Sequence, residues 1–343
     1  MPNAKTLTVN FKPTFDQNMT LKKTIFSLFL LVLKLDLGAQ LTGNLDANVN
    51  SYTNDEKRDI ILKTKQLVAD NYVIIDKINS IDQKLDEFIN SKTFDTTSTK
   101  LSFRRALAYQ LRSASNDLHF SVFPVSNFEN NTGSSTIDTT YGIVDAKYII
   151  DSIGYFKFNY FPPLNDTTKK AFDSAFKKLR RAKTIIIDLT DNYGGNPYFE
   201  AYLCSYFFQD STHLYDIYSR KDDSTYQFWT YNILSDSRFN SKTNVFVLTS
   251  ERTFSAGEAF AYDLQTKKRA KVVGQQTPGG ANPGASFFIN DKLKVFIPVS
   301  KTINFTTKSN WEGIGVTPDI ITKKQKEIDA VIKELKRRKK SSR

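Results

Sequence analysis

Residues 184–197 read TIIIDLTDNYGGNP. Thr184–Leu189 is a nearly continuous apolar run, the mark of a strand buried on both faces. The chain then breaks into a polar turn that carries the glycine pair Gly194 and Gly195. Residues 245–260, VFVLTSERTFSAGEAF, repeat that layout. Val245–Leu248 reads as another buried strand, and Ser255 opens a helix that runs to Lys267. Further helices are expected over Asp166–Ala182 and Tyr198–Phe208. Further strands are expected over Tyr141–Ile150, Ile153–Phe158, Lys271–Gly274 and Lys292–Ile297. Strand, turn and helix alternate through residues 138–322, so this region reads as an α/β domain, a sheet with covering helices. In such folds chemistry gathers at strand ends, in the turns that lead into helices.

Residues 52–125 read as a small helical domain in front of it. Asn54 can cap a first helix with Ile60, Ile61, Leu62, Leu67 and Val68 on its apolar face. Ile78–Ile89 and Leu101–Arg112 fit a second and a third. The polar stretch 126–140, SNFENNTGSSTIDTT, reads as a loop. Residues 1–40 read as a signal-peptide region. Lys22 and Lys23 form a positive n-region, Thr24–Leu33 is a ten-residue apolar run, and Gly38 and Ala39 follow. The run is shorter than the roughly 20 residues a spanning helix needs. Translation starting at Met19 would give this leader its usual form. The expectation is an exported protein, periplasmic or extracellular.

The net charge of +12 is carried by the ends. Residues 1–40 hold five Lys and two Asp, and residues 323–343 hold ten Lys/Arg and three acids, which leaves +2 over the 282 residues between. The body therefore has no nucleic-acid footprint. In the last segment Ile328, Val331, Ile332 and Leu335 share one helix face, and Lys336–Lys340 is a basic run. Residues 323–343 read as a basic helix, either a solvated helix end or a weak contact with an anionic membrane surface. Cys204 is the one cysteine and the histidines are His119 and His213. That composition excludes a disulfide framework and a tetrahedral Cys/His zinc site.

Four places could carry chemistry, each with a plain structural alternative. Ser255 at a helix start sits where N–H groups and the macrodipole favour a developing anion. The quartet Ser255–Glu258 is equally a capping box. Gly194-Gly195 brings a backbone close enough to donate to an oxyanion, or forms an ordinary turn. His119, in SASNDLHFSVF, is either a structural histidine or the base that a hydroxyl nucleophile needs. His213, in DSTHLYD, reads as a surface residue. Glu312, in WEGIGVTPDI, is a loop acid or the carboxylate that orients an imidazole.

Taken together, TIIIDLTDNYGGNP, VFVLTSERTFSAGEAFAYDLQ, KRAKVVGQQTPGG and WEGIGVTPD, in this order and spacing, resemble the tail-specific (carboxy-terminal processing) serine protease family over residues 55–320. The resemblance implies a crotonase/Clp protease-like spiral β-sheet core with covering helices, preceded by the small helical domain. It also implies Ser255 as nucleophile and an oxyanion hole from Gly194 or Gly195 with Ala256. The bacterial processing proteases use a Ser–Lys dyad, but Gly280 in TPGGA stands where that lysine would be, 25 residues beyond the serine. Nor do the roughly 20 residues between His119 and the first α/β strand hold a PDZ domain. Both departures resemble the branch of the tricorn protease core and the interphotoreceptor retinoid-binding protein modules. That resemblance implies His119 as base and Glu312 as its support, with Leu118 in place of a serine that precedes the histidine in tricorn.

The function this implies is a serine-type peptidase acting on exported peptides or protein tails through an acyl-enzyme, with no metal or organic cofactor required. The alternative is a non-catalytic module that binds an apolar ligand or peptide on the same fold. Joint retention of Ser255, His119 and Glu312 argues for the enzyme, because a binding module has no need of the set.

Overall fold

A computed structural model of the chain describes residues 51–125, 140–150, 152–233 and 238–341. Residues 1–40, read above as a signal-peptide region, and most of the polar 126–140 segment lie outside the described residues. Four helices come first: α1 (Asn54–Asn71), α2 (Ile78–Ile89), α3 (Lys92–Thr96) and α4 (Lys100–Ser115). Strand β1 (Ser121–Pro124) follows, then β2 (Ile143–Ile150), β3 (Ile153–Phe158), α5 (Asp166–Leu179), β4 (Thr184–Asp188) and α6 (Pro197–Cys204). After these come β5 (His213–Ser219), β6 (Ser224–Trp229), β7 (Asn244–Thr249), α7 (Ala256–Thr266) and β8 (Lys271–Gly274). The last elements are β9 (Gly284–Phe288), β10 (Leu293–Pro298), β11 (Ser300–Asn304), β12 (Ile320–Ile321) and α8 (Glu327–Ser341).

The central sheet runs β12-β8-β7-β4-β3-β2, parallel except where β2 closes the edge antiparallel to β3. Its strands are apolar on both faces, as buried parallel strands must be. One face, with Phe156, Ile185, Ile187, Val245, Val247 and Val272, packs under α5, α6 and α7. The other, with Tyr155, Ile186, Phe246, Leu248 and Val273, packs under α8 through Ile328, Val331 and Leu335. The apolar stripe of the terminal helix thus covers the sheet, leaving its exposed basic residues to face solvent. The carboxyl of Glu334 pins that helix down, with Lys271 Nζ at 2.9 Å, Arg337 Nε at 2.8 Å and Arg338 Nε at 3.0 Å. These cations hold its carboxyl well below the usual range. A lowered acid stabilises the fold above its unfolded pKa of about 4.3, and that contribution is lost as pH falls through the folded value. Glu334→Gln should therefore cost up to about 1 kcal/mol at pH 7, discounted for its exposed partners, and clearly less at pH 2, where part of the contribution is already lost. Urea unfolding at the two pH values checks this.

The helical region does not pack alone. Its core residues Ile61, Leu85, Phe103 and Leu111 merge with Phe120, Val122, Leu293, Val295 and Ile297. Strand β1 pairs antiparallel with β10, Ser121 opposite Phe296, and β10 pairs with β9. Packing therefore crosses the stretch between 125 and 138 where the sequence suggests a domain boundary. The same pairing delivers His119, two residues before β1, to the α/β region. A third sheet, β11-β5-β6, is antiparallel.

Several expected boundaries shift. Thr53, not Asn54, caps α1, in a capping box with Glu56, and Asn54 is the first helical residue. Helix α5 stops at Leu179 and α6 at Cys204, earlier than expected. His213 is 6% exposed rather than at the surface. It stacks on Trp229 at 4.5 Å, and its Nε2 meets Asp216 Oδ1 at 2.7 Å. Alternation of core and solvent residues along β5 explains why a polar-looking segment buries it.

Candidate active site

Ser255 is the N-cap of α7, with φ 53° and ψ −119°. A positive φ is costly for a residue with a side chain and persists only where the surroundings impose it. Here Glu258 does so from a fully buried position. Its Oε2 accepts the N–H groups of Ser255 at 2.9 Å and Gly280 at 2.8 Å. Its Oε1 accepts the Thr277 hydroxyl at 2.6 Å and the Gly279 N–H at 2.7 Å. Burial pushes this carboxyl up to about 7, against the pull of those four donors. One acid thus ties the serine turn to the 277–280 turn. The capping motif and the chemical reading of Ser255 coexist: Glu258 holds its N–H, and its Oγ lies 3.1 Å from His119 Nε2.

His119 is 5% exposed. Its ring packs on Phe254, with centroids 4.7 Å apart. Its N–H donates to Asp117 Oδ1 at 3.1 Å, and Nδ1 stands 3.7 Å from the same oxygen. Asp117 is buried, and its Oδ2 accepts Asn282 Nδ2 at 3.0 Å and the Tyr72 hydroxyl at 3.4 Å. Position 280 explains the absence of a lysine. A Cβ there would lie 2.3 Å from Phe254 Cε2 and 2.9 Å from His119 Cε1. A side chain at 280 and this imidazole cannot share the space.

Gly194 and Gly195 have φ of 93° and 137°, open only to glycine. A Cβ on Gly194 would lie 2.7 Å from Ser255 Cβ, so the turn passes directly over the serine. Of the expected oxyanion donors, the Gly194 N–H is already bound to Asn192 Oδ1 at 2.9 Å. Among the described residues no such bond engages the Gly195 or Ala256 N–H. Asn192 also donates through Nδ2 to Phe158 O at 3.1 Å and accepts the Phe254 N–H at 2.9 Å. It therefore locks the glycine turn to the serine turn. A cavity of about 30 Å³ opens beside Ser255, lined by Gly195, Tyr215, Ile217, Ala259, Pro283 and Trp311.

Glu312 arrives on the loop between β11 and β12. Its Oε2 accepts the N–H groups of Ala281 at 2.5 Å and Asn282 at 3.1 Å. Its Oε1 is buried without a hydrogen-bond partner among the described residues. Burial, and then the nearby Asp117 carboxylate, raise the Glu312 carboxyl well above its ordinary range. Asp117, His119 and Glu312 each place a polar atom within 4.8 Å of the other two. The structure thus brings Ser255, His119 and Glu312 to one place and adds Asp117, Asn192 and Glu258 to them. Asp117 had a signal in the sequence, two residues before His119. Asn192 and Glu258 lay inside quoted motifs as a turn residue and a capping partner.

Two family profiles match adjoining stretches of the chain: the N-terminal domain of peptidase family S41 as found in eukaryotic IRBP, over residues 52–152, and peptidase family S41 itself, over 152–322. Among solved structures the fold is similar to a candidate peptidase from Parabacteroides merdae, at 18% identity and TM-score 0.59, covering 83% of this chain and 97% of that one. It is similar to the tricorn protease at 14% identity and TM-score 0.54, covering 83% of this chain and 37% of that one. It is also similar to a photosystem II D1 C-terminal processing protease at 15% identity and TM-score 0.50, covering 81% of this chain and 94% of that one. At such identities the structures speak for the α/β fold alone; the contiguous profiles carry the assignment, and the chain belongs to peptidase family S41.

Proposed function

We propose that the chain is a serine peptidase in which Ser255 attacks the peptide carbonyl and His119 takes its proton. The observation that carries this is the 3.1 Å contact between Ser255 Oγ and His119 Nε2, made by a serine in a strained turn at a helix start. A capping serine needs neither the strain nor the imidazole. The N–H groups of Gly195 and Ala256 receive the oxyanion, a role worth on the order of 10²–10³ in rate per donor. Asp117 and Glu312 stand on the Nδ1 side and stabilise the imidazolium that forms. The Nδ1 to Asp117 separation of 3.7 Å is longer than a hydrogen bond, as is common before substrate tightens a site. An acyl-enzyme forms on Ser255 with release of the amine, and water then frees the acid. The small cavity, walled by Ile217, Ala259 and Pro283, suits a short apolar side chain.

The deciding experiment is reaction with a fluorophosphonate probe, mapped by mass spectrometry. Labelling of Ser255 that disappears in His119→Ala supports the peptidase. A folded protein that takes no label favours the ligand-binding alternative. A quantitative expectation attaches to Gly280. Gly280→Ala should push Phe254 and His119 aside and lower kcat by about 10²-fold, since a misplacement of about 1 Å can cost that much. An unchanged kcat would refute the packing argument. Export is part of the proposal and rests on the leader-like residues 19–40. Amino-terminal sequencing of the mature protein tests it, and an intact Met1 on cytoplasmic protein refutes it.

A further inference from the structure

Two buried polar atoms at this site, His119 Nδ1 and Glu312 Oε1, lack hydrogen-bond partners among the described residues. Asp117 Oδ1 lies 3.7 Å from that Nδ1. One donor atom from each of the three residues falls within 4.8 Å of the other two. Among the described residues this is the one cluster of three His, Cys or carboxylate groups so close. The remaining valences are already committed in ways that hold the three side chains still. Asp117 Oδ2 is fixed by Asn282 and Tyr72, and Glu312 Oε2 by the Ala281 and Asn282 N–H groups. Backbone and amide partners of this kind orient ligands around a metal.

We propose that Asp117, His119 and Glu312 form a zinc site that switches the enzyme off. One imidazole nitrogen and two carboxylate oxygens, with water as the fourth ligand, make a donor set zinc accepts in four-coordinate sites. Bonds of about 2.0–2.2 Å in a tetrahedron set ligand atoms about 3.3–3.6 Å apart. The 3.7 Å separation of Nδ1 and Asp117 Oδ1 is close to that span, and a Glu312 carboxylate oxygen lies within 4.8 Å of both partners. Composition excludes a Cys/His-rich zinc centre here but leaves this mixed set available. Imidazole disfavours magnesium and calcium, which take oxygen ligands.

The consequence follows from the two nitrogens of one ring. A neutral imidazole with zinc on Nδ1 carries its proton on Nε2. Nε2 then donates to Ser255 Oγ and can no longer accept the serine proton. Inhibition rests on the reading of His119 as the base; binding of the metal does not.

The test uses the intact mature chain and zinc ion itself. Equilibrium dialysis with metal analysis should show one zinc per chain, and cobalt substituted for zinc should give the visible bands of a four-coordinate site. Asp117→Asn and Glu312→Gln should each weaken zinc by about 10–100-fold or more, whereas His213→Asn should leave it unchanged. Added zinc should suppress fluorophosphonate labelling of Ser255, and a chelator should restore it. Absence of stoichiometric zinc on the folded wild type overturns the site. Equal affinity in the wild type and in both carboxylate variants overturns it as well, and the cobalt bands of the wild type give a reading that no folding defect of a variant can mimic. Zinc bound at these residues with labelling unaffected overturns the switch and His119 as base. A metal-free protein that never labels refutes the peptidase reading and leaves the binding test standing.

Discussion

Ser255→Ala should lower kcat for peptide hydrolysis by about 10⁴–10⁶-fold while leaving the folded chain intact, and His119→Ala should come close to it. The two groups act as a unit, because the hydroxyl is a nucleophile only while a base can remove its proton. The double variant should therefore be hardly slower than either single one, where independent contributions would multiply. The residual rate belongs to the Gly195 and Ala256 N–H groups and to substrate binding. Loss of the hydroxyl leaves a buried imidazole nitrogen without its partner, so Ser255→Ala should be destabilised by no more than about 1–3 kcal/mol and stay folded. Steady-state kinetics on a peptide substrate, set beside a melting curve, separates the two effects. A variant that keeps its turnover refutes the assignment of Ser255, whatever its stability.

The parts of this site that were legible in the sequence are those set by local rules. Thr184–Leu189 reads as a buried strand because both its faces are covered, and the structure places β4 at the centre of the main sheet. The Ser255–Glu258 quartet reads as a helix start because capping is a matter of neighbours in sequence. His119 was harder. Its location depends on β1, four residues that pair with β10 some 170 positions later, and no periodicity in so short a strand announces that pairing. Strands β5 and β6, seven and six residues long, went unseen because polar residues interrupt their apolar ones, and with them the burial of His213. Hydrogen-bond direction was beyond reach altogether. Gly194 and Gly195 are equivalent as letters, yet the Asn192 side chain takes the N–H of the first and leaves that of the second. The terminal helix shows the converse. Its apolar stripe at 328, 331 and 335 was plain, but only the packed structure shows that the sheet face carrying Phe246 and Val273 is what covers it.

Glu258→Gln should be the most damaging change at a residue that never touches substrate. Each Glu258 oxygen serves two donors, Ser255 N–H and Gly280 N–H on one side, the Thr277 hydroxyl and Gly279 N–H on the other. An amide has one acceptor oxygen. Whichever way it is turned, its NH₂ faces two donors and leaves them unpaired in a buried place. Each unsatisfied buried group costs about 1–3 kcal/mol, so with two donors unpaired the variant should lose about 2–6 kcal/mol of stability. The activity loss should exceed what that destabilisation alone produces. The Ser255 N–H is one of the released donors, and without Glu258 nothing opposes relaxation of φ from its strained positive value. A drift of about 1 Å in Oγ relative to His119 is enough to lower kcat by about 10²-fold. Protonating the wild-type acid produces a milder form of the same defect, because it turns one acceptor oxygen into a donor. With burial pushing this carboxyl up to about 7, the wild type should lose kcat/KM as pH falls through that value, and Glu258→Gln should lack this step on its lower rate. Urea unfolding followed through Trp311, whose indole N–H donates to Gly280 O at 2.8 Å, reports the stability in the same turn that Glu258 holds. The same acid limb in the two proteins would mean that Glu258 keeps its charge throughout, and that its part in the site is confined to holding the fold.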